Sequence, residues 1–365
     1  MKYDYSETVD YLLDWYDMNR RFLPWREEPK PYYVWVSEIM LQQTRVEAVK
    51  IYFDRFISTL PTIKDLAVCE EEKLLKLWEG LGYYNRVRNL QKAAKLILEE
   101  YDGHMPADYD KLLRLPGIGS YTAGAIASIS FQIPEPAVDG NVLRVMKRVA
   151  GSFDDIAKVS VKKQMENDLR EIIPKDRPGD FNQSIMDLGA TVCIPNGKPL
   201  CDKCPIMHLC KAHYNGTQMI IPVKPEKKPR KIEDKTILLL EFNEHYAIRK
   251  RDSKGLLARL WELPGLEGKL SAEKVEELLN KEGYRNFTMQ SLGEGKHIFS
   301  HIEWHMVGYH IKFTKILEEF VYKTLDVQNK FDFLSNTDCI WASKDRINKE
   351  FTLPSAFETY KKFII

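Results

Sequence analysis

Apolar side chains recur every three or four residues through positions 5–215. Val9, Leu12, Leu13 and Tyr16 form one stripe, Ala93, Leu96 and Ile97 another, and Val142, Val145, Met146 and Val149 a third. That spacing places each set on one face of an α-helix, and proline and glycine punctuate the stripes. No strand-like alternation interrupts them. The pattern then changes. TILLLEFNEHYAIRKRD (236–252) gives two β-rich runs about a turn-like Asn-Glu-His, a helical stripe covers 271–283, and HIEWHMVGYHIKF (301–313) reads as a strand. An all-α domain followed by an α+β domain is predicted. The intervening PVKPEKKPRKIEDK (222–235) holds six basic residues, three acidic residues and three prolines, the composition of an extended, solvated linker. The expected domains are 1–221 and 236–365, joined by 222–235.

A length of 365 residues suits two domains. No run of eighteen apolar residues exists, so no membrane span is expected. The net charge of +1 gives no sign of a nucleic-acid partner. The opening MKYDYSETVDYLLDW lacks an apolar signal-peptide core, so a cytosolic protein is expected. That matters for the cysteines. Four of the six, Cys193, Cys201, Cys204 and Cys210, fall within eighteen residues as C-x7-C-x2-C-x5-C. In a reducing compartment such a cluster points to metal rather than disulfides. Zinc sites usually combine two short cysteine pairs. Only one C-x2-C exists here, and four unevenly spaced thiolates suit a 4Fe-4S cubane better.

The segment LRLPGIGSYTAGAIASI (113–129) reads as helix, tight Pro-Gly-x-Gly turn, helix. Pro116 stops the first helix. Gly117 and Gly119 allow unusual backbone angles and close approach of another chain. Ala123, Gly124, Ala125 and Ala127 allow tight packing of the second helix. Amides facing outward at a helix N-terminus make a phosphate site; a plain αα-hairpin is the alternative. The full string resembles the helix-hairpin-helix (about 111–128) of DNA repair glycosylases. Followed by VDGNVLRVMKR (138–148) and the cysteine cluster, it has the order of the endonuclease III superfamily. Within that superfamily SEIMLQQTRV (37–46), GLGYYNRVRNLQKAA (80–94) and FNQSIMDLGATVC (181–193) resemble MutY-type adenine DNA glycosylases. The first cysteine gap is one residue longer than in familiar members, which predicts a bulge around Asn196-Gly197.

If PYYVWVSEIMLQQT is helical, Glu38 stacks near Val34, Trp35 and Leu41, and a desolvated carboxyl holds its proton. From spacing alone, a surface glutamate on an apolar-rich helix is an equal reading. Asp139 lies just before the helical stripe that starts at Val142, where helix amides and dipole favour an anion; a simple N-cap is the alternative. A neutral acid and a stabilised anion are the pair that glycosidic cleavage needs. The resemblance implies that Glu38 and Asp139 are the catalytic carboxyls, supported by Tyr121 and Asn141. It implies an adenine pocket with Trp25, Arg26 and Gln183, although Trp25 could equally be core. Gln43 and Tyr83 match residues that wedge into the base stack, with an ordinary core aromatic the alternative for Tyr83. Arg86, Arg88, Lys147 and Arg148 are candidate phosphate contacts, with Gly117 and Gly119 at the hairpin. Bifunctional relatives carry lysine where Tyr121 stands, and tyrosine cannot form a Schiff base. Base removal without a strong lyase step is therefore expected.

Residues 236–365 resemble a Nudix-like fold. The stretch SAEKVEELLNKEGY (271–284) lacks the arginine and full carboxylate set of a working Nudix helix, which argues against a pyrophosphatase. In MutY-type proteins this domain reads 8-oxoguanine, and Phe299, Ser300 and His301 match the reading loop; a tight turn before a strand is the alternative. The resemblance implies a monomeric, cytoplasmic (in bacteria, nucleoid-associated) base-excision enzyme. Its partner would be duplex DNA with adenine opposite 8-oxoguanine or guanine. An endonuclease III-like pyrimidine-damage glycosylase/lyase and a non-catalytic DNA-binding homologue are the competing readings.

Overall fold

The computed structural model describes residues 3–226, 229–314, 329–331 and 337–364. The chain forms two compact units, Met1–Cys69 with Asn85–Lys227, and Glu70–Tyr84 with Lys228–Ile365. None of the described helices is long and apolar enough to cross a membrane.

The first unit is helical. It opens with α1 (Thr8–Asn19), the single turn α2 (Pro24–Glu27), α3 (Pro31–Leu41), α4 (Val46–Thr59) and α5 (Ile63–Val68). After α6 (Glu71–Leu77), which belongs to the second unit, come α7 (Asn85–Glu100) and α8 (Tyr109–Leu113). Next are α9 (Ser120–Phe131), α10 (Gly140–Ala150), α11 (Val159–Ile172), α12 (Pro178–Thr191) and the short α13 (Lys211–Tyr214). Pro31 sits in the first turn of α3, where a missing N–H costs nothing. The stripe read from the sequence on α10 is buried, with Val142, Val145, Met146 and Val149 packed among Leu12, Phe181, Ile185 and Leu188.

Two local features fix the segment ahead of α10, which leads to Asp139, against α9 and α12. Gly124 on α9 faces the backbone ahead of α10 so closely that a Cβ there would lie 2.2 Å from the Pro136 carbonyl oxygen. Asn182 on α12 then ties the same region together. Its Nδ2 donates to Ser128 Oγ (2.8 Å) and to the Glu135 carbonyl (2.9 Å), and its Oδ1 accepts from Ala137 N–H (3.0 Å). A buried amide satisfied on both sides specifies one arrangement of its neighbours.

The second unit is built on a mixed sheet. Its strands are β1 (Lys231–Phe242), β2 (His245–Lys250), β3 (Trp261–Glu262), β4 (Gly265–Glu267), β5 (Phe287–Ile298), β6 (Ile302–Phe313), β7 (Asn329–Phe331) and β8 (Thr337–Ser343). Their order is β5-β6-β1-β2-β8-β7. β1 runs parallel to β6 from Lys231↔Ile302 to Phe242↔Phe313 and turns antiparallel into β2. The turn residues Asn243 and Glu244 both have positive φ (47° and 60°), the signature of a two-residue hairpin. Both sheet faces are covered. Ile237 and Leu239 pack with Trp304, Phe357 and Tyr360, while Leu238 and Leu240 pack with Val275 and Leu279 of α14 (Ala272–Lys281). Burial on both faces is why β1 reads as a continuous apolar run rather than an alternation.

Two differences from the sequence reading concern this unit. β1 begins at Lys231, inside the charged stretch read as linker, because its backbone pairs with β6 even where its side chains are polar. β5 spans FTMQSLGEGKHI, a run without a clear strand signal, and its burial never exceeds intermediate along its length. Pairing along β6 holds it, with an irregularity between Ser291 and Gly293.

Candidate active site

Glu38 lies in the last helical turns of α3 and is 5% exposed. The Tyr121 hydroxyl on α9 donates to its Oε2 at 2.5 Å. Burial pushes the Glu38 carboxyl up to about 7, against the opposing pull of the Tyr121 hydroxyl; Asp139 adds to the rise and Arg26 opposes it. Desolvation also drives the Tyr121 hydroxyl well above its usual range, so it remains a donor.

Asp139 caps α10. Its Oδ1 accepts from the backbone N–H of Asn141 and Val142, both at 2.8 Å, and its Oδ2 accepts from Asn141 Nδ2 at 2.8 Å. Asn141 is itself held by Arg144, whose Nη1 donates to its Oδ1 at 3.1 Å. The place of Asp139 at a helix N-terminus favours the anion. The structure places it as expected but buries it, and burial raises its proton affinity although the three cap hydrogen bonds pull the other way.

These groups open onto one cavity of about 540 Å³. Trp25, Arg26, Glu38, Gln43, Tyr121, Asp139, Asn141 and Gln183 all line it. Trp25 is also buried, with its ring edge-on to Phe53 (5.3 Å), so pocket wall and core are both true of it. Gln43 is exposed with φ +64°, a left-handed conformation that non-glycine residues adopt seldom and often at functional sites. Among the described residues lining this cavity there is no lysine.

The neighbours of Arg26 were not legible from the sequence. Asp187 on α12 is fully buried and accepts from both Arg26 and Arg21. The sequence signal was faint: one aspartate in the otherwise apolar IMDLG of a helix that also carries Gln183.

Four candidate phosphate contacts are placed differently from one another. Arg86 Nη1 donates to the carbonyls of Ile39 (2.7 Å), Met40 (3.2 Å) and Gln42 (2.6 Å) and so holds the C-terminal end of α3. Arg88 Nη1 faces Asn85 Oδ1 at 3.5 Å. Lys147 and Arg148 are buried. Lys147 pairs with Asp154 (2.7 Å), and Arg148 donates to the carbonyls of Ile221 (2.8 Å) and Ile194 (3.0 Å). These two corrections have one cause: α10 turns these cations inward to satisfy carbonyls and a carboxylate. At the hairpin, Gly117 has φ +78° and a Cβ there would meet Asn89 Cβ at 2.7 Å. Gly119 has φ −100°, an angle any residue adopts, and open space where a Cβ would stand at the N-terminus of α9.

Cys193, Cys201, Cys204 and Cys210 line one small cavity beside Val145, Arg148 and Leu188. In the longer first gap Gly197 has φ +78°, and Leu200 N–H donates to the Val192 carbonyl (2.9 Å). Arg148 Nη1 lies 3.2 Å from Cys193 Sγ, and Arg144 Nε donates to the Cys193 carbonyl (2.9 Å). Burial pushes the Cys204 thiol up to about 12, and each neighbouring cysteine adds to the rise. Among the described residues, no three metal-binding side chains converge as they would on a single ion.

In the second unit, Phe299, Ser300 and His301 form the turn between β5 and β6, closed by Phe299 N–H to the Ile302 carbonyl (2.8 Å). Phe299 packs between His297 and Trp304, while Ser300 and His301 are exposed. Ser300 Oγ lies 3.0 Å from the Tyr83 hydroxyl, and Tyr83, half exposed, has φ +46°.

Comparison with known proteins adds to this geometry. Residues 36–175 match the HhH-GPD superfamily base excision DNA repair protein family, and residues 236–362 match the NUDIX domain. The chain is 37% identical over 350 residues to an adenine DNA glycosylase of Mus musculus, covering 80% of this chain and 68% of that one. It is 35% identical over 322 residues to an adenine DNA glycosylase of Buchnera aphidicola subsp. Acyrthosiphon pisum, covering 87% and 89%. Among solved structures it is similar to a thermostable thymine-DNA glycosylase, with TM-score 0.52 and 28% identity over 57% of this chain and 96% of that one. It is also similar to a trapped endonuclease III–DNA covalent intermediate, with TM-score 0.50 and 28% identity over 59% and 99%.

Proposed function

Because the chain belongs to the adenine DNA glycosylases of the helix-hairpin-helix base excision repair superfamily, we propose that it removes adenine mispaired with 8-oxoguanine or guanine and leaves an abasic site. The observation that carries this reading is the shared cavity of Glu38, Tyr121 and Asp139, in which Glu38 keeps its proton up to about pH 7.

A base inside a duplex is out of reach, so adenine must be flipped into the cavity, with Trp25, Arg26 and Gln183 around it. Glu38 passes its proton to adenine N7, and the N-glycosidic electron pair leaves with the base. Positive charge then develops on the sugar, and the Asp139 carboxylate stabilises it. Three cap hydrogen bonds hold that carboxylate in place. Water adds to the sugar and gives up a proton, which completes the hydrolysis. Tyr121 keeps Glu38 in position and offers no amine, and no lysine lines the cavity among the described residues, which favours base release without a Schiff base.

Cys193, Cys201, Cys204 and Cys210 would hold a 4Fe-4S cluster. The four sulfurs line one small cavity without converging as they would on a single ion among the described residues, and burial raises the proton affinity of Cys201, Cys204 and Cys210, a donor set that suits a cationic multi-iron core larger than one zinc ion. The cluster would serve a structural role by joining Cys193, just after α12, to Cys201, Cys204 and Cys210, and no step of base release is routed through it. Ser300 and His301 form the damage reader in this reading, since a serine hydroxyl can both accept from N7–H and donate to O8 of 8-oxoguanine.

A single-turnover assay tests the proposal on duplexes with adenine opposite 8-oxoguanine, guanine or thymine, and with thymine glycol opposite adenine. Adenine release from the first two is expected, slowed at least ~10²-fold by Glu38→Gln. Release of thymine glycol with strand cleavage, or no release at all, refutes it.

A further inference from the structure

The carboxylate of Asp187 has no exposed surface. Its Oδ1 accepts from Arg21 Nε (2.8 Å), Arg21 Nη2 (2.6 Å) and Arg26 Nη2 (2.9 Å). Its Oδ2 accepts from Arg26 Nη1 (2.7 Å) and from the Arg21 backbone N–H (3.2 Å). Arg26 Nη1 also donates to the Arg21 carbonyl at 3.3 Å. Five hydrogen bonds from two arginines therefore converge on one carboxylate beside the cavity. Planar forks held this way lose little freedom when a substrate arrives.

We propose that Asp187 is a positioning residue of the reaction: it clamps Arg26 against the cavity wall and offsets the positive charge that Arg26 brings to Glu38. The proposal rests on the adenine glycosylase reading above and adds to it what sets the working pH of the acid.

The charged side chains lining the cavity are Arg21, Arg26, Arg45, Glu38 and Asp139. Those acting on Glu38 itself are Asp139, at the start of α10, and Arg26, on α2, with the neutral Tyr121 from α9 in direct contact. Arg26 favours the charged form of Glu38, and burial and Asp139 oppose it. With Asp187 ionised, the clamp of two arginines and one carboxylate presents a single net positive charge. Burial would raise the proton affinity of Asp187, but the two arginines more than reverse that, so the clamp keeps this charge at neutral pH. Replacing Asp187 by asparagine leaves two positive charges and frees Arg26 to swing toward Glu38. Both effects favour the Glu38 anion, which cannot serve as the acid.

The test compares Asp187→Asn, Arg21→Gln and the double variant with the wild type. One readout is the carboxyl titration of Glu38 in the free protein, by isotope-edited infrared difference against Glu38→Gln. The other is the pH profile of single-turnover adenine release. Asp187→Asn should move both midpoints down by about one pH unit, with the rate partly recovered at low pH. Arg21→Gln, which leaves a neutral clamp, should move both up. The double variant restores one net charge and should return them toward the wild-type values. If Asp187→Asn does not fold, the upward shift in Arg21→Gln decides the matter. A uniform loss of rate with unmoved midpoints would make Asp187 merely structural and overturn the proposal. Absence of adenine release by the wild type would instead refute the functional reading, and the Glu38 titration would still decide the role of Asp187.

Discussion

In the proposed reaction Glu38 is the acid, and the burial that keeps its proton at neutral pH costs stability. An unfolded glutamate titrates near 4.5, whereas the folded one is pushed up to about 7. The folded state therefore binds the proton more tightly, and Glu38 lowers stability as pH rises from about 4.5 to 7, with no further change above. The full cost is on the order of 3 kcal/mol. Glu38→Gln, whose amide oxygen can still accept from Tyr121, should thus unfold at higher denaturant concentration than the wild type at pH 8. The difference should vanish near pH 4.5. Equilibrium denaturation at the two values checks this, and a gap that persists at low pH would show that burial of the charge is not its source. How far such residues were readable depended on where their partners lie. Val34, Trp35 and Leu41 are near Glu38 in sequence, so its desolvation could be argued from spacing. Asp187 meets Arg21 and Arg26 across more than 160 positions, and nothing local announced the clamp. Lys147 and Arg148 were misread for the same reason: basic residues on a helix look solvated until the carbonyls that consume them are known.

Helix periodicity carried most of the first unit at the level of elements, because each stripe is a local property of the chain. The hairpin was legible down to its tight-packing residue: Gly124 permits a contact with Pro136 that any side chain would block. β5 was not legible, since its partner β6, rather than its own composition, makes it a strand. The cysteine segment is the element whose proposal is easiest to check. Purified anaerobically, the protein should be yellow-brown and carry about four irons per chain, as one cubane requires. Replacing Cys204 by serine should lower the iron content and the thermal midpoint together. Stoichiometric zinc without iron would refute the cluster.

The whole molecule does not divide where its composition divides. Glu70–Tyr84 clusters with the second unit although both of its neighbouring segments belong to the first. Its side chains explain why. Lys76 donates to the Phe351 carbonyl (2.9 Å), and Glu79 accepts from Leu353 N–H (3.2 Å) and from Lys361 (3.1 Å). Trp261 Nε1 donates to Glu72 at 3.2 Å. A chain cut at residue 221 removes every one of these partners. It should keep weak adenine release with little preference for 8-oxoguanine over guanine, and lose at least ~5 °C of thermal stability in the remaining unit. A truncated chain with full preference and an unchanged melting temperature would show that neither the reader nor the anchoring of Glu70–Tyr84 lies in residues 222–365. The same segment has a consequence for synthesis. Glu70–Tyr84 leaves the ribosome before the whole of Asn85–Lys227, and Trp261, Phe351, Leu353 and Lys361 follow later still. At about 5–20 residues per second the segment waits on the order of ten seconds for its partners. The contacts that place Glu70–Tyr84 therefore form only after the rest of the helical unit has been made, so assembly of the segment does not follow the order of translation.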